Sequence, residues 1–387
     1  MNVVLFDNKS RNNLKPISST RAVGIIRMGL FTNKERWELI TGKEAYLITV
    51  DYLQELYSKW ISIDTLFVDA SVLPDVDFVQ QALLLQVNEK LVDKNNSLLA
   101  YRLLGNNNNA EILTGYTANV FEGVKILEYP WQIMQWNNLA IEFDIELIKA
   151  KAKENITQII PESVTAISPE RIYIDKSANV QHCFLNASTG PIYIGKNATI
   201  QEGAMIRGPF ALGENSLVRM GAKIYGATSI GNNCVVGGEI KNIVMQGNSN
   251  KAHDGYLGDS VVGEWCNFGA GSTNSNVKNT GGIVKVWNDE ANEFIPVGQK
   301  CGLIMGDHSK VAINSAINTG SVIGICCNVF GAGLTPKRIP NFSWGADGNN
   351  KYDFDKAIKE IGNWKVMKHQ KLTSAEISVL KHIFDTE

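Results

Sequence analysis

Residues 194–236 read IGKNATIQEGAMIRGPFALGENSLVRMGAKIYGATSIGNNCVV, and this stretch decides the fold. Aliphatic residues stand at every sixth position: Ile194, Ile200, Ile206, Leu212, Val218, Ile224, Ile230 and Val236. Four residues after each of the first seven come Ala198, Ala204, Phe210, Ser216, Ala222, Thr228 and Cys234, nearly all small. If aliphatics fill roughly one position in four, eight in a row has odds on the order of one in tens of thousands. A period of six is neither the 3.6 of a helix nor the 2 of a half-buried strand. It fits a parallel β-helix, in which each repeat is a short strand and a corner and each coil buries its neighbour's face. The aliphatic side chain fills the interior, and the small one sits where the narrow coil turns. Gly195, Gly213, Gly221, Gly231, Gly263 and Gly269 are expected to supply corner dihedrals.

Working downstream, the phase resumes at Val262 with Cys266 and Phe268 with Ser272. It returns at Met305, Val311, Ile317, Ile323 and Val329, with Ser309, Ser315, Ser321 and Cys327 as small partners. The gaps, 239–256 and 276–303, read as functional loops, because a coil that must stack has no structural use for long interruptions. Residues 336–344 are expected to leave the β-helix, and 353–369 and 374–384 to form helices with Ser374 as an N-cap. Upstream, 3–6, 46–50 and 65–68 read as buried strands and 33–41 and 75–90 as helices, an α/β pattern with a mostly parallel sheet. Residues 106–109 are a polar loop of four asparagines, and 142–156 a helical connection. The expected domains are 1–143, a helical linker 144–169, the β-helix 170–335 and a helical tail 336–387.

Composition excludes several classes. A chain of 387 residues with 44% hydrophobic and 20% charged residues is globular, and a net charge of −2 argues against a nucleic-acid surface. No apolar run approaches the ~20 residues of a membrane helix. The segment Met1 to Asp7 lacks a basic n-region, and the six cysteines have neither disulfide-framework nor zinc spacing, so a cytoplasmic location is expected.

The chemistry-bearing residues cluster around the gaps. They are Glu239-Ile240-Lys241, then His253-x-x-Tyr256-Leu257-Gly258-Asp259, then Gly269-Ala270-Gly271-Ser272 with Asn276, and upstream Arg219-Met220-Gly221-Ala222. These resemble the acetyltransferase half of the bifunctional enzymes that make UDP-N-acetylglucosamine, which join glucosamine-1-phosphate acetyltransferase to a uridylyltransferase. The resemblance implies a left-handed β-helix, a homotrimer with active sites at subunit boundaries, and acetyl-CoA as donor. It puts the catalytic base at His253, with Glu239 orienting the ring. Arg219 and Lys241 would hold the sugar phosphate, and Tyr256 and Asn276 the sugar. Lys285, in the second gap, is a candidate for the CoA phosphates, together with Ser309 and Lys310. His308 is the rival base. A zinc hydratase on this scaffold would need clustered histidines, and His182, His253 and His308 are far apart in sequence.

The N-terminal region lacks the glycine-rich loop with which sugar nucleotidyltransferases wrap a triphosphate. Leu5-Phe6-Asp7-Asn8 through Thr20-Arg21-Ala22-Val23 to Arg27-Met28-Gly29 stands there instead. With Tyr129-Pro130-Trp131, Asn137, Asp144, the 301–310 segment and Phe342-Ser343-Trp344-Gly345, it resembles a divergent bacterial version of the bifunctional enzyme. Ala22 and Asn8 depart from that version's proline and second acid. The resemblance implies Arg11, Lys15, Arg21 and Arg27 as a triphosphate clamp, and Asp7 and Asp144 as holders of Mg²⁺. The implied function is N-acetylation of an amino-sugar 1-phosphate coupled to nucleotidyl transfer giving a UDP-sugar. The alternatives are a sugar-1-phosphate nucleotidyltransferase whose β-helix only oligomerises or regulates, and a non-enzymatic scaffold or sugar-nucleotide sensor.

Overall fold

The structure is a computed structural model that describes all residues except 61–63, 106–109, 152–155, 158, 346 and 387. The four-asparagine run lies outside the described residues, as does most of the end of the expected 142–156 helix. The expected architecture is the one observed: an α/β domain, a left-handed parallel β-helix of hexapeptide repeats, and C-terminal helices. By contacts the chain divides into two units. One holds 1–12, 21–26 and 31–128; the other holds 13–20, 27–30 and 129–387. No helix among the described residues is long and apolar enough to cross a membrane.

The first unit is built on a six-stranded sheet in the order Ala45–Ile48, Asn2–Phe6, Asp64–Asp69, Leu98–Leu104, Glu89–Val92, Thr117–Val120. The first three strands are mutually parallel, and Leu98–Leu104 runs antiparallel to both of its neighbours. Runs such as Val3-Val4-Leu5 are buried on both faces, as a parallel sheet requires. The helix Asn33–Thr41 starts at Thr32 and Glu35, which form a reciprocal capping box. The helix expected at 75–90 stops early, at Val76–Leu84 with Asp75 as N-cap, because 89–92 joins the sheet.

In the second unit the hexapeptide phase becomes three faces. The first carries Thr165–Ile167, Phe184–Asn186, Met205–Arg207, Lys223–Tyr225 and the starts of Glu239–Gly247 and Tyr256–Glu264. The second runs from Ile172–Asp175 to Arg338–Ile339, and the third from Asn179–Val180 to Asn328–Val329. In the regular coils the register advances by eighteen residues, as in Ile192↔Phe210↔Thr228. The periodic aliphatics form one continuous core. The β-helix also runs further than expected: it starts at 165 and still pairs at Ile339 and Trp344, so 336–344 closes a coil rather than leaving.

The small-residue column is a hydroxyl ladder. Ser216 Oγ donates to Gly231 O at 2.7 Å and accepts the Cys234 N–H at 2.9 Å. Ser249 repeats this with Gly263 and Cys266, and Ser309 with Gly324 and Cys327. Serine alternates with cysteine down the column, so each corner's stranded backbone groups find a partner.

The glycine reading needs correction. Of the six glycines assigned to corner dihedrals, only Gly221 has a positive φ. Left-handed corners are instead made by Asn197, Asn215, Asn233 and Asn248, then Trp265, His308, Cys326 and Phe342. Gly213 and Gly231 serve close approach: a Cβ on Gly231 would sit 1.9 Å from Gln246 O in the next coil.

Both sequence gaps also read differently in the structure. The first is not a loop. Glu239–Gly247 is one strand passing from the first face to the second, and the coil is short. The register advances by only fifteen at Ser229↔Val244 and Val235↔Asn250. The second gap is a true insertion, since Asn267 pairs Lys310 forty-three residues on. It contains the hairpin Val284–Asn288/Glu293–Gly298.

Helices Pro130–Gln135 and Asn137–Lys151 lie on the second face. Phe354–Met367 lies against the third face, through Lys368 Nζ to Asn250 Oδ1 at 3.2 Å and Asn328 Nδ2 to Glu360 at 2.9 Å, and Ser374–Thr386 packs on that helix. The last helix is capped one residue before the expected Ser374, by a Thr373–Glu376 pair.

Candidate functional site

The first face stays open on its outer side. Its inward residues Leu185, Ile206, Ile224, Ile240 and Leu257 are buried, so strand alternation turns Lys223, Tyr225, Glu239, Lys241 and Tyr256 outward. The short coil brings their partners close. Tyr225 OH donates to Glu239 Oε1 at 2.6 Å. Lys241 Nζ stands 3.8 Å from Asp259 Oδ2. Asn242 Nδ2 donates to Asp259 Oδ1 at 2.7 Å, and Asn242 and Asp259 are both left-handed corner residues. Asn276 Nδ2 donates to Tyr256 OH at 3.0 Å and to the Asp259 carboxylate. Tyr256 OH passes 2.1 Å from the position of a Cβ on Gly258, so a side chain there would displace the Tyr256 ring. Hydrogen bonding to Glu239, with burial, pushes the Tyr225 hydroxyl up to about 12. Burial, with the charges of Asp259 and Glu239, pushes the Tyr256 hydroxyl up as well. Both phenols therefore stay protonated near neutral pH.

His253 sits on the corner leading into this face, in the segment 252–255, and its side chain is exposed. Glu239 N–H donates to Gly255 O at 3.2 Å, which locks the corner to the preceding coil. Arg219, also exposed, occupies the same edge two coils earlier, roughly 10 Å along the axis at the usual strand spacing. Between them lie Gly237 and Gly238: a Cβ on Gly237 would meet Arg219 Cβ at 3.0 Å, and one on Gly238 would meet His253 O at 2.8 Å. The structure thus brings Arg219, Glu239, Lys241, His253, Tyr256 and Asn276 to one edge and its adjoining face. Glu239 is the exception in role. Its carboxylate is held by Tyr225 rather than by His253, so it does not orient the imidazole in this geometry.

Of the three residues expected at the CoA, Lys285 stays accessible and the other two do not. Lys285 is exposed on the hairpin, open to solvent. Ser309 is wholly buried as a rung of the hydroxyl ladder and cannot reach a cofactor. Lys310 is buried with Nζ on His308 O at 2.7 Å, over the Trp364 ring at 5.6 Å, so it too is structural. The rival base His308 is a left-handed corner residue stacked on Trp265, with ring centroids 6.3 Å apart. Cys234, Cys266 and Cys327 are interior, as expected.

In the first unit the polar residues gather at the carboxyl edge of the parallel strands, where open α/β sheets bind ligands. Asp7 follows Asn2–Phe6, Thr49 follows Ala45–Ile48, and Asp69 ends Asp64–Asp69. Asp7 Oδ2 accepts from Arg11 Nε at 3.0 Å and Thr49 Oγ1 at 2.6 Å, and Oδ1 accepts the Val23 N–H at 2.9 Å. Asp69 accepts from Ser71 and from Asn8 Nδ2 at 2.7 Å, and burial pushes its carboxyl up to about 6. Arg11 Nη2 donates to Arg21 O at 3.2 Å, and both arginines are buried.

The residues expected as a triphosphate clamp are divided between the two contact units. Arg11 and Arg21 are interior to this unit, while Lys15 and Arg27 belong to the other, where the Arg27 N–H donates to the Gln246 side-chain oxygen and the Arg27 carbonyl accepts from its side-chain amide. The carboxylates expected for Mg²⁺ do not fit that ion either. Asp7 is taken up by the loop that follows it. Asp144, in the second unit, is fully buried and accepts the Leu30 N–H at 2.8 Å. Among the described residues no three His, Cys, Asp or Glu side chains converge as a metal site. Asn137 is likewise structural, accepting from Gly29 N and Ser229 Oγ and donating to Ala227 O.

Sequence reading missed Tyr225 and Asp69 as members of these clusters, and placed Asp259 in the motif without a role. Tyr225 was findable, as the outward neighbour of the interior Ile224.

Residues 3–153 match a family described as sugar nucleotidyl transferase. The chain is similar to a "Bifunctional protein GlmU" of Methanocaldococcus jannaschii, 31% identical over 101 residues, covering 26% of this chain and 24% of that protein. It is similar at 31% over 101 residues to a "Bifunctional sugar-1-phosphate nucleotidylyltransferase/acetyltransferase" of Sulfurisphaera tokodaii, covering 26% and 25%. The matched part spans about a quarter of the length of these curated relatives. Among solved structures, the polysialic-acid-specific acetyltransferase NeuO aligns at 9% identity and a TM-score of 0.26, over 48% of this chain and 79% of that one. The polysialic acid O-acetyltransferase OatWY aligns at 15% identity and a TM-score of 0.19, over 47% and 80%.

Proposed function

We propose that this chain is a transferase that N-acetylates an amino-sugar 1-phosphate, glucosamine-1-phosphate, from acetyl-CoA, and couples this to nucleotidyl transfer giving a UDP-sugar. The observation that carries the reading is the open face on which Tyr225, Glu239, Lys241, Tyr256, Asp259 and Asn276 are linked, beside the corner bearing His253. The sugar amine attacks the thioester carbonyl, a C–N bond forms and the C–S bond breaks. His253 takes the proton the amine loses and returns it to the departing CoA thiolate. Lys241 and Arg219 supply the fixed positive charge a phosphate dianion needs. Tyr256 and Asn276 offer neutral donors and acceptors for sugar hydroxyls, and Lys285 meets the CoA phosphates. The reading includes a homotrimer, whose contacts would cover the exposed outward residues Ile167, Phe184 and Met205 on the first face. It also includes a cytoplasmic location, where the six cysteines, none of them in a disulfide, stay reduced.

The test is release of free CoA from acetyl-CoA with glucosamine-1-phosphate. His253→Ala is expected to lower the rate by about 10²–10⁴-fold. A wild-type rate in that variant would remove His253 from the mechanism, and no CoA release by the unmodified chain would remove the acetyl-transfer reading. The second reading is a sugar-1-phosphate nucleotidyltransferase whose β-helix only assembles the oligomer, favoured by the family match over 3–153. Pyrophosphate release from UTP, Mg²⁺ and N-acetylglucosamine-1-phosphate without any CoA turnover would select it.

A further inference from the structure

We infer that Lys251 is a positioning residue for His253, an ammonium carried inside the β-helix that holds the His253 carbonyl and so the corner presenting the imidazole. The inference rests on the reading of His253 as the base.

The third face has an interior column of aliphatic and aromatic residues: Ile200, Val218, Val236, then Phe268, Val311 and Val329. Lys251 occupies this column, paired with Val236, and is 1% exposed. Its four-carbon stem fills the space an isoleucine or valine fills elsewhere, and Nζ donates to the carbonyl oxygen of His253. An ammonium in an apolar interior costs several kcal/mol unless it is well paired. Burial lowers this one to about 8, against an opposing pull from Asp254. An aliphatic residue would complete the column without that cost, so packing alone does not account for the lysine.

The bond falls where the coil needs it. The preceding coil is shortened at its own turn, with Ile240 only four positions after Val236, so the full six-position corner from Lys251 to Leu257 that carries His253 stacks on a tighter one, and the advance to the next coil is seventeen, as in Asn250↔Asn267. Around this corner the Asp254 carbonyl accepts the Gly271 N–H at 3.1 Å and the Gly255 carbonyl accepts the Glu239 N–H at 3.2 Å. The His253 carbonyl instead receives the Lys251 ammonium. The residue that presents the imidazole is thus pinned from the inside while its side chain remains outside and exposed. Sub-ångström control of a base is the scale on which rates respond, since a 1 Å misplacement can cost about a hundredfold.

The experiment uses Lys251→Met, which keeps the stem and removes the ammonium, in the full chain. It reads acetylation kinetics together with amide hydrogen exchange over 252–256. The expected result is a kcat lower by ~10–100-fold with KM for glucosamine-1-phosphate within about twofold, and faster exchange confined to that corner. Lys251→Gln, which keeps a shorter donor, should recover part of kcat, and it serves as the test if the Met variant does not fold. A folded variant with wild-type kcat and unchanged corner exchange overturns the role of Lys251 while leaving acetyl transfer standing. An unmodified chain that releases no CoA overturns the parent reading, and this one with it.

Discussion

The two polar clusters hold the same kinds of side chain and put them to opposite use. In the first unit Asp7 and Arg11 form an ion pair whose side chains are 4% and 3% exposed, and every oxygen of Asp7 is spent on the loop behind it. In the second, Lys241 keeps 26% exposure beside Asp259 on the outer side of the first face. A charge that is buried and saturated holds a fold; one that is half-exposed and loosely paired can still bind. The difference comes from the backbone. A loop folded over the carboxyl edge of a sheet encloses its polar groups, whereas a β-helix face must turn alternate residues outward.

The comparison can be broken first at Arg11. Arg11→Ala leaves Asp7 buried without its partner, which should destabilise the first unit by about 3–5 kcal/mol. The check is the urea midpoint of that unit's unfolding transition. A loss under about 1 kcal/mol would mean that the clasp is no more structural than the exposed face.

Asp69 tests the same enclosure by pH. Its carboxyl is raised, chiefly by burial, from 3.8 unfolded to about 6 folded. Between those values the folded state holds more protons than the unfolded one, so stability should fall as pH rises through the window, by on the order of 3 kcal/mol in all. Asp69→Asn should flatten that slope in denaturation curves taken at pH 4, 5 and 6. A wild-type profile that rises with pH through this range would contradict the enclosure.

Lys241 probes the other side. Lys241→Gln should raise KM for the sugar phosphate by ~10–100-fold, as loss of a charge-assisted contact does, with a melting temperature shifted little because the ion pair is partly solvated. If stability falls and KM does not move, Lys241 belongs with Arg11 rather than with a ligand. The smallest effect is expected for Tyr225→Phe, which removes one hydrogen bond to Glu239. The cost should be about 0.5–1.5 kcal/mol in stability, with acetylation down severalfold at most.

Much of the second unit was legible in the sequence. The six-residue phase located the interior of most coils, because each interior position demands an aliphatic side chain of limited volume, and this demand repeats locally. The outward cluster was legible only in part. Glu239, Lys241, His253, Tyr256 and Asn276 could be named, but the bonds of Glu239 to Tyr225 and of Asn276 to Asp259 could not. Those bonds depend on the register between coils, and where a coil shortens from eighteen to fifteen residues the phase breaks without saying how the neighbours realign.

By itself the sequence determined which side chains face the core of the β-helix and which residue types stand near the edge, but not the end of the α/β region, expected at 143 and found at 128 in the first unit. Only the tertiary structure decided that the gap after 239 is a tightened coil rather than a loop. It alone placed Ser309 in the hydroxyl ladder, turned Asp7 and Asp144 inward, and put Lys251 inside the core. The physical reason is one of range. Volume and alternation act on a residue through its own position in the repeat, whereas hydrogen-bond partners and burial of charge are set by chain segments that meet only once the coils have stacked.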